Sequence, residues 1–439
     1  MRIALITPLN RRVRPGDEEE NLGVGYLASV LRHKGHEVRV LDGTLQRLGH
    51  RAIVQRLLQD PPELVGISAL FQESLGDAGR LAKAIRLALP HTRIVAGGQP
   101  ATFCARELLE HVPALDGIVM GEGEGVIEGL ATGTIAEQQA VAHRHHGEII
   151  VPDRTSLLPS LDILPDPARD HLPVASARSG AAQVSRSRGC WGSCSFCSLR
   201  AFYGAAEGRP WRVRSPERVV AEIEALRNRF GINVINFVDD NFIGPGEQGK
   251  QEAKALAQSL IDADTGVEFY LACRADDVDE DLFAHLQSAG LRKVFLGIES
   301  GVQNVLDRFG KRTTVEKNLA AIQSLDKLGI EPIIGFITFD PDSTFEEFTE
   351  NLAFLEKALG SWAQVRSRLS LPLNIMEIYS GTPIEKQLRE EGRLKGDYLG
   401  YTYDVPDVRV HVLVRLIQSV RRCVYPLRNA VLRTRLNGR

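Results

Sequence analysis

Twice along the chain, short β-branched apolar runs alternate with amphipathic segments of helical period, a pattern that only parallel strands joined by helical crossovers satisfy. In the first series the apolar runs are residues 3–7, 37–41, 64–68, 93–96 and 117–120, and the helical segments are 23–34, 52–59, 75–89 and 103–111. A five-stranded, doubly wound α/β sheet follows, with ligands expected at the carboxyl ends of its strands. Gly97 and Gly98 follow the fourth run, and Gly121, Glu122, Gly123, Glu124 and Gly125 the fifth. Without Cβ atoms the backbone there can approach a ligand closely. The second series has runs at 183–187, 234–238, 268–272, 293–298, 332–338 and 371–378, with helical segments at 216–230, 251–262, 279–289, 315–328 and 344–358. Six such units predict a partial (β/α)6 barrel, whose mouth would gather residues 187–197, Asp239, Asp240, Asn241, Arg274, Glu299, Ser300 and 340–343.

Between the series, residues 133–179 lose periodicity and accumulate Pro152, Pro159, Pro165, Pro167 and Pro173, as expected of a linker. His143, His145 and His146 read as a solvated loop there, since no Cys or acid stands at ligand spacing. From Val405 the chain holds eight arginines and one acid, with Val408, Val412, Leu416, Val420 and Cys423 at helical steps. This predicts a helix that packs that apolar face and turns a basic one to solvent. The domains expected are therefore 1–132, a linker over 133–179, a barrel over 180–390 and a helical tail over 391–439.

Of 439 residues, 43% are apolar and 25% charged, with a net charge of −3. No apolar run approaches the roughly 20 residues of a membrane span, and the first apolar stretch runs into Arg11, Arg12 and Arg14 rather than a cleavage site. A cytoplasmic enzyme is expected, with no membrane partner. Nucleic acid is not expected either, because nothing interleaves aromatic with basic residues as a base-stacking platform does.

Six cysteines are too few for a disulfide scaffold, yet Cys190, Cys194 and Cys197 crowd one loop at the spacing C-x3-C-x2-C, directly after a predicted strand. Three thiolates hold three irons of a 4Fe–4S cluster and leave the fourth open to a substrate or cofactor. Zinc is the rival, but a structural zinc site needs a fourth protein ligand, and no second Cys-x-x-Cys or His pair follows.

With Phe196 as the aromatic residue of C-x3-C-x-Φ-C, this loop resembles the signature of the radical S-adenosylmethionine (SAM) superfamily. The resemblance implies that Cys190, Cys194 and Cys197 ligate the cluster and that SAM chelates its open iron beside the backbone of Phe196. It further implies that an external one-electron reductant of flavodoxin or ferredoxin type drives cleavage of SAM to a 5′-deoxyadenosyl radical, which takes hydrogen from an unactivated carbon. Gly297-Ile298-Glu299-Ser300-Gly301 resembles the family's G-I-E-S-G, implying that Glu299 and Ser300 lie beside the nucleoside. Val238-Asp239-Asp240-Asn241-Phe242 is similar to its D-D-x-F segment, implying a cofactor contact for Asp239, although the plain physical reading is a helix N-cap. Asp340-Pro341-Asp342 departs from the family's G-x-P-G-E-T, and Tyr379-Ser380-Gly381-Thr382-Pro383 resembles its Y-P-G-T-P turn.

The first domain resembles the Rossmann-like cobalamin (B12)-binding domain fused ahead of many radical enzymes, on Leu22-Gly23-Val24-Gly25-Tyr26-Leu27-Ala28, Gly35-His36-Glu37-Val38, Gly97-Gly98 and Gly121-Glu122-Gly123-Glu124. This implies cobalamin with its nucleotide tail near Gly97, Gly98, Gly121 and Glu122. No histidine stands in the D-x-H-x-x-G pattern of the mutases, and the loop 10–20 is densely charged where relatives are often apolar, so a domain that keeps the fold without the cofactor stays an alternative. Together the resemblances imply a radical SAM enzyme acting on an unactivated carbon of a small polar metabolite in natural-product or antibiotic biosynthesis, by cobalamin-dependent C-methylation. The alternatives are cobalamin-independent dehydration, deoxygenation or oxidation of a sugar or aminocyclitol, RNA modification, and a non-catalytic corrinoid carrier. Asp239, Asp240, Asp276 and Glu299 at the mouth would suit a polyhydroxyl or amine-bearing substrate. The sequence names no general acid or base.

Overall fold

The computed structural model of the chain describes residues 1–10, 13, 16–370 and 373–420. Strands β1 (Arg2–Thr7), β2 (Glu37–Asp42), β3 (Leu64–Ser68), β4 (Arg93–Gly97) and β5 (Gly117–Val119) form a parallel sheet in the order β2-β1-β3-β4-β5. Ile3, Ala4, Leu5 and Ile6 are all buried, because helices cover both faces. Ala4, Ile6, Val65 and Ile94 pack toward the helices His50–Gln59 and Ser74–Ala88, while Ile3, Leu5 and Val95 pack toward Leu22–His33 and Ile127–Thr132.

The predicted linker is structured instead. Strands β6 (Val141–His145) and β7 (Glu148–Ile150) extend the sheet to seven strands as an antiparallel hairpin on β5. His143 and His145 thus lie on β6 and His146 at its turn, rather than in a solvated loop. The pattern was illegible because an edge hairpin keeps polar residues on its open side. The stretch that follows lies along Leu22–His33: Ala168 N donates to Gly25 O at 3.0 Å and Arg32 pairs with Asp170 at 2.7 Å. A Cβ at Gly25 would stand 2.9 Å from Ala168 O, so the chain crosses where a side chain is missing.

In the second domain β8 (Ala182–Val184) is followed by the short antiparallel pair β9 (Ser187–Arg188) and β10 (Arg212–Val213), then by β11 (Val234–Phe237), β12 (Glu268–Arg274), β13 (Leu291–Glu299) and β14 (Glu331–Phe336). Among the described residues the parallel order β14-β13-β12-β11-β8 gives five strands where six were expected. Residues 371 and 372 of the sixth run lie outside those described, and the flanking chain makes single bridges, Ile334 to Leu369 and Phe339 to Ile375. A hairpin of β15 (Leu394–Asp397) and β16 (Gly400–Tyr403) returns to the first domain, where Tyr398 stacks on His111 at 5.6 Å.

Residues 408–420 are helical, but the expected packing face is turned outward. Val408, Val412, Leu416 and Val420 are exposed, while Val410 and Val414 pack on Phe339 and Val405. Asp407 sets this rotation by accepting from Phe345 N and from Arg409. Cys423 lies outside the described residues. Among those described, no helix is long and apolar enough to cross a membrane.

Candidate active site

The loop between β9 and the helix Ser198–Gly204 carries Cys190, Cys194 and Cys197. It turns at Gly189, where φ is +92° and a Cβ would collide with Pro210 O at 1.8 Å. Ser195 then ties it down, donating its N–H to Phe309 O at 2.8 Å and accepting from Ile384 N at 3.1 Å. The sulfurs of Cys190 and Cys194 stand 3.4 and 3.8 Å from the point a Cβ on Gly192 would occupy, and the N–H of Gly192 donates to Cys190 Sγ at 3.3 Å. The missing side chain leaves a cradle between the sulfurs. Arg274 bounds it, with Nη1 3.6 Å from Cys194 Sγ and its guanidinium 4.5 Å from the Trp191 ring centroid. Burial pushes the Cys190 thiol up and Cys197 to about 12, so the thiolate forms need the positive charge of a metal.

Three thiols on one loop, those of Cys190 and Cys194 beside the Gly192 cradle, are the ligand set that fits a 4Fe–4S cluster with one open iron.

The other predicted contacts divide. Glu299 ends β13 in the left-handed region, at φ +65°, and its carboxylate meets Lys311 Nζ at 2.9 Å. Gly297 makes room, since a Cβ there would be 2.9 Å from both partners. Lys311 in turn accepts from Arg274 through its carbonyl, which ties this strained acid to the residue that reaches Cys194. Phe196 is half-buried, edge-on to Phe309 at 5.3 Å.

Ser300 and Asp239 are bonded within the chain. Ser300 is fully buried, donating to Asn351 Oδ1 at 2.9 Å and accepting from Val302 N at 3.1 Å. Asp239 accepts from Arg186 N at 3.1 Å and from the N–H and hydroxyl of Ser187, pinning the strand that enters the cysteine loop. Burial raises it to about 6. Asp240 accepts from Gly189 N at 2.9 Å and Asp276 pairs with Arg274 at 2.9 Å. Every acid that suggested a polar substrate is therefore bonded to the chain's own donors.

A cavity of ≈ 320 Å³, with ≈ 1230 Å³ of free space once its open mouth is counted, lies between the two domains. Leu5, Val24, Leu27, Val95 and Ile127 line its inner slot between sheet and helices, and Gly97, Gly98 and Gly121 its rim. Gly98 has φ +114° and a Cβ would sit 2.1 Å from Ala69 O. An apolar slot with a glycine rim fits the base and backbone contacts of a corrinoid nucleotide tail; no histidine lines it. Glu122 also lines the cavity, but its carboxylate is taken by Arg212 (2.8 and 2.9 Å), Arg188 (3.2 Å) and Leu158 N (2.9 Å), so it braces the domains rather than a ligand.

The cavity's other wall comes from the second domain: Ser187, Arg188 and Asp240 belong to the mouth expected from the sequence, whereas Ser185 and Tyr203 were missed. The partner of Arg188, Glu124 at 2.6 Å, was missed too. The charged loop also finds its reason. Glu18 approaches Arg178 at 3.5 Å, Glu19 accepts from Asn236 Nδ2 at 3.0 Å and from Gln183, and Glu20 pairs with Arg169 at 3.3 Å. Glu19 thus bonds to the second domain and Glu18 and Glu20 to the segment between the domains, and none of the three lines the cavity; Arg11, Arg12, Arg14 and Pro15 lie outside the described residues.

Comparison with known families matches residues 12–131 to the B12 binding domain and 184–355 to the radical SAM superfamily. An uncharacterized methyltransferase of Pyrococcus horikoshii is 28% identical over 351 residues, 78% of this chain and 74% of that protein. The hopanoid C-3 methylase of Methylococcus capsulatus is 31% identical over 341 residues, 75% of this chain and 62% of that protein. Among solved structures, the cobalamin-dependent SAM radical enzyme OxsB, with aqua-cobalamin and SAM bound, superimposes with a TM-score of 0.81 at 24% identity, covering 96% of this chain and 66% of that one. This chain thus spans under two thirds of the methylase's length, and OxsB is a likeness of fold.

Proposed function

We propose, for a chain that belongs to the radical SAM superfamily and carries a B12-binding domain ahead of its radical domain, that it methylates an unactivated carbon of a small organic substrate. The observation that carries this reading is the single cavity walled by both domains, in which Gly97 and Gly98 of the corrinoid side face Ser187, Arg188 and Asp240 of the cluster side. Bound here, the cluster and SAM supply the 5′-deoxyadenosyl radical and cobalamin the methyl group.

The chain's own residues hold and orient these groups. Cys190, Cys194 and Cys197 anchor the cluster, and Arg274 holds a positive charge against the Cys194 sulfur. Asp239 fixes the backbone that enters the loop, and Lys311 aims Glu299 from the end of β13. Arg188, held by Glu122 and Glu124, fixes the distance between the two cofactor places. The electron comes from a flavodoxin- or ferredoxin-type donor. The names of two relatives, a methyltransferase and a methylase, support methyl transfer.

Incubation of the reconstituted enzyme with a metabolite extract, a reduced flavodoxin and trideuteromethyl-labelled SAM tests this. The expected product carries the labelled methyl on carbon. Formation of 5′-deoxyadenosine with a dehydrated or oxidised, unlabelled product would replace methylation by the radical alternatives.

A further inference from the structure

Phe295 and Val238 are large apolar side chains left 44% and 39% exposed on or just beyond strands of the second sheet. The register of that sheet says where they face. Leu271, Cys273, Leu296, Ile298 and Ile334 pack into the helix-covered core, so Tyr270, Ala272, Phe295 and Ile333 stand on the opposite face. Arg274 shares that face and reaches Cys194, so it is the face turned toward the cluster loop.

The registers stack this face in three tiers. In the lowest, Asn236, Tyr270, Lys293 and Glu331 lie side by side. Its charged and amide groups are engaged: Asn236 donates to Glu19, and Lys293 pairs with Glu331 at 2.9 Å and lies 5.5 Å from the Tyr270 ring centroid. In the highest, Arg274, Gly297 and Gly335 adjoin the cysteine loop. The middle tier is Ala272, Phe295 and Ile333, with Val238 two residues beyond Asn236, and it holds no charged group. Gly335 makes room for the Phe295 ring, since a Cβ there would stand 2.8 Å from its Cζ. Val238 also lines the cavity rimmed by Gly97 and Gly98, so this wall borders both cofactor places.

We infer that the middle tier is the substrate wall, that the substrate lays a flat, neutral, apolar face, aromatic or alicyclic, against Phe295 and Val238, and that Phe295 selects for it. This rests on the radical reading of the site proposed above. A polyhydroxyl or polyamine body would leave its polar groups unpaired on this wall, because the acids around the mouth are already bonded within the chain.

The test uses the full chain reconstituted with iron, sulfide, hydroxocobalamin and SAM. Saturation-transfer NMR titrations with 2-naphthol and with glucose compare the wild type with Phe295→Ala, Phe295→Leu and Phe295→Asp at matched iron and cobalt content. The expected result is that 2-naphthol binds and glucose does not, with the naphthol dissociation constant rising about tenfold in Phe295→Ala, less in Phe295→Leu and more in Phe295→Asp. Absent naphthol binding, naphthol binding indifferent to Phe295→Asp, or glucose binding that depends on Phe295 overturns the inference. Release of 5′-deoxyadenosine by the same wild-type sample, once a reduced flavodoxin is added as the electron donor, separates the failures. An enzyme that cleaves SAM but ignores 2-naphthol sinks only the substrate wall, whereas one that cleaves no SAM sinks the radical reading beneath it.

Discussion

Asp277 shows how burial at a single residue becomes a pH dependence. Burial raises its carboxyl to about 6, against an ordinary 3.8, although Asn241 donates to it at 3.0 Å. The folded state keeps this proton to higher pH than the unfolded chain does. Its contribution to stability is therefore whole below the ordinary value and lost as pH rises through 6. Asp277→Asn should accordingly gain on the wild type between pH 4 and 7 by about 2–3 kcal/mol, read by denaturant unfolding at both values. A second residue-scale prediction concerns the acid at the end of β13. Lys311→Met leaves Glu299 strained and without its partner, and should destabilise the fold by about 3 kcal/mol, measured as a fall in Tm. The three cysteines were legible because ligands of one cluster must sit at short fixed spacing. The partners of Ser300 and Asp239 were not legible, because Asn351 and Ser187 lie 51 and 52 positions away.

At the scale of elements, strands buried on both faces announced themselves as unbroken apolar runs, and β3 falls at the predicted residues. The hairpin of β6 and β7 did not, since it is half polar, and the apolar run at 371–378 shows only a single bridge, at Ile375, among the described residues. The tail helix has two apolar stripes, and periodicity alone cannot say which one packs; Asp407, bonded to Phe345 N at 3.0 Å, chooses the stripe of Val410 and Val414. The junction of β3 and β4 gives a sharper prediction. Gly98→Ala would force a Cβ to 2.1 Å from Ala69 O in a left-handed backbone, displacing the rim of the cavity. Cobalt retained after desalting should fall while iron content stays at the wild-type level; equal cobalt would remove Gly98 from the corrinoid site.

At the scale of the molecule, the two domains are joined by buried ion pairs that no single-domain reading of the sequence reveals. Glu122 lies between Arg212 and Arg188, and Glu124 completes the set. Burial alone would raise Glu122, but Arg212 and Arg188 outweigh it and hold the carboxyl below the ordinary range. Glu122→Ala would strand the buried guanidinium of Arg212, while Arg188 keeps Glu124, at a cost of about 3–5 kcal/mol, and should lower the Tm of the whole chain. Both cofactor places meet at this seam, which makes cofactor content the most direct test of the architecture. Anaerobic reconstitution with iron, sulfide and hydroxocobalamin, followed by desalting and metal analysis, should give about four irons and about one cobalt per chain. The iron should be lost, and the cobalt kept, when Cys190, Cys194 and Cys197 are all replaced by Ala. Zinc in place of iron, or iron without cobalt, would contradict a cavity that joins a cluster to a corrinoid.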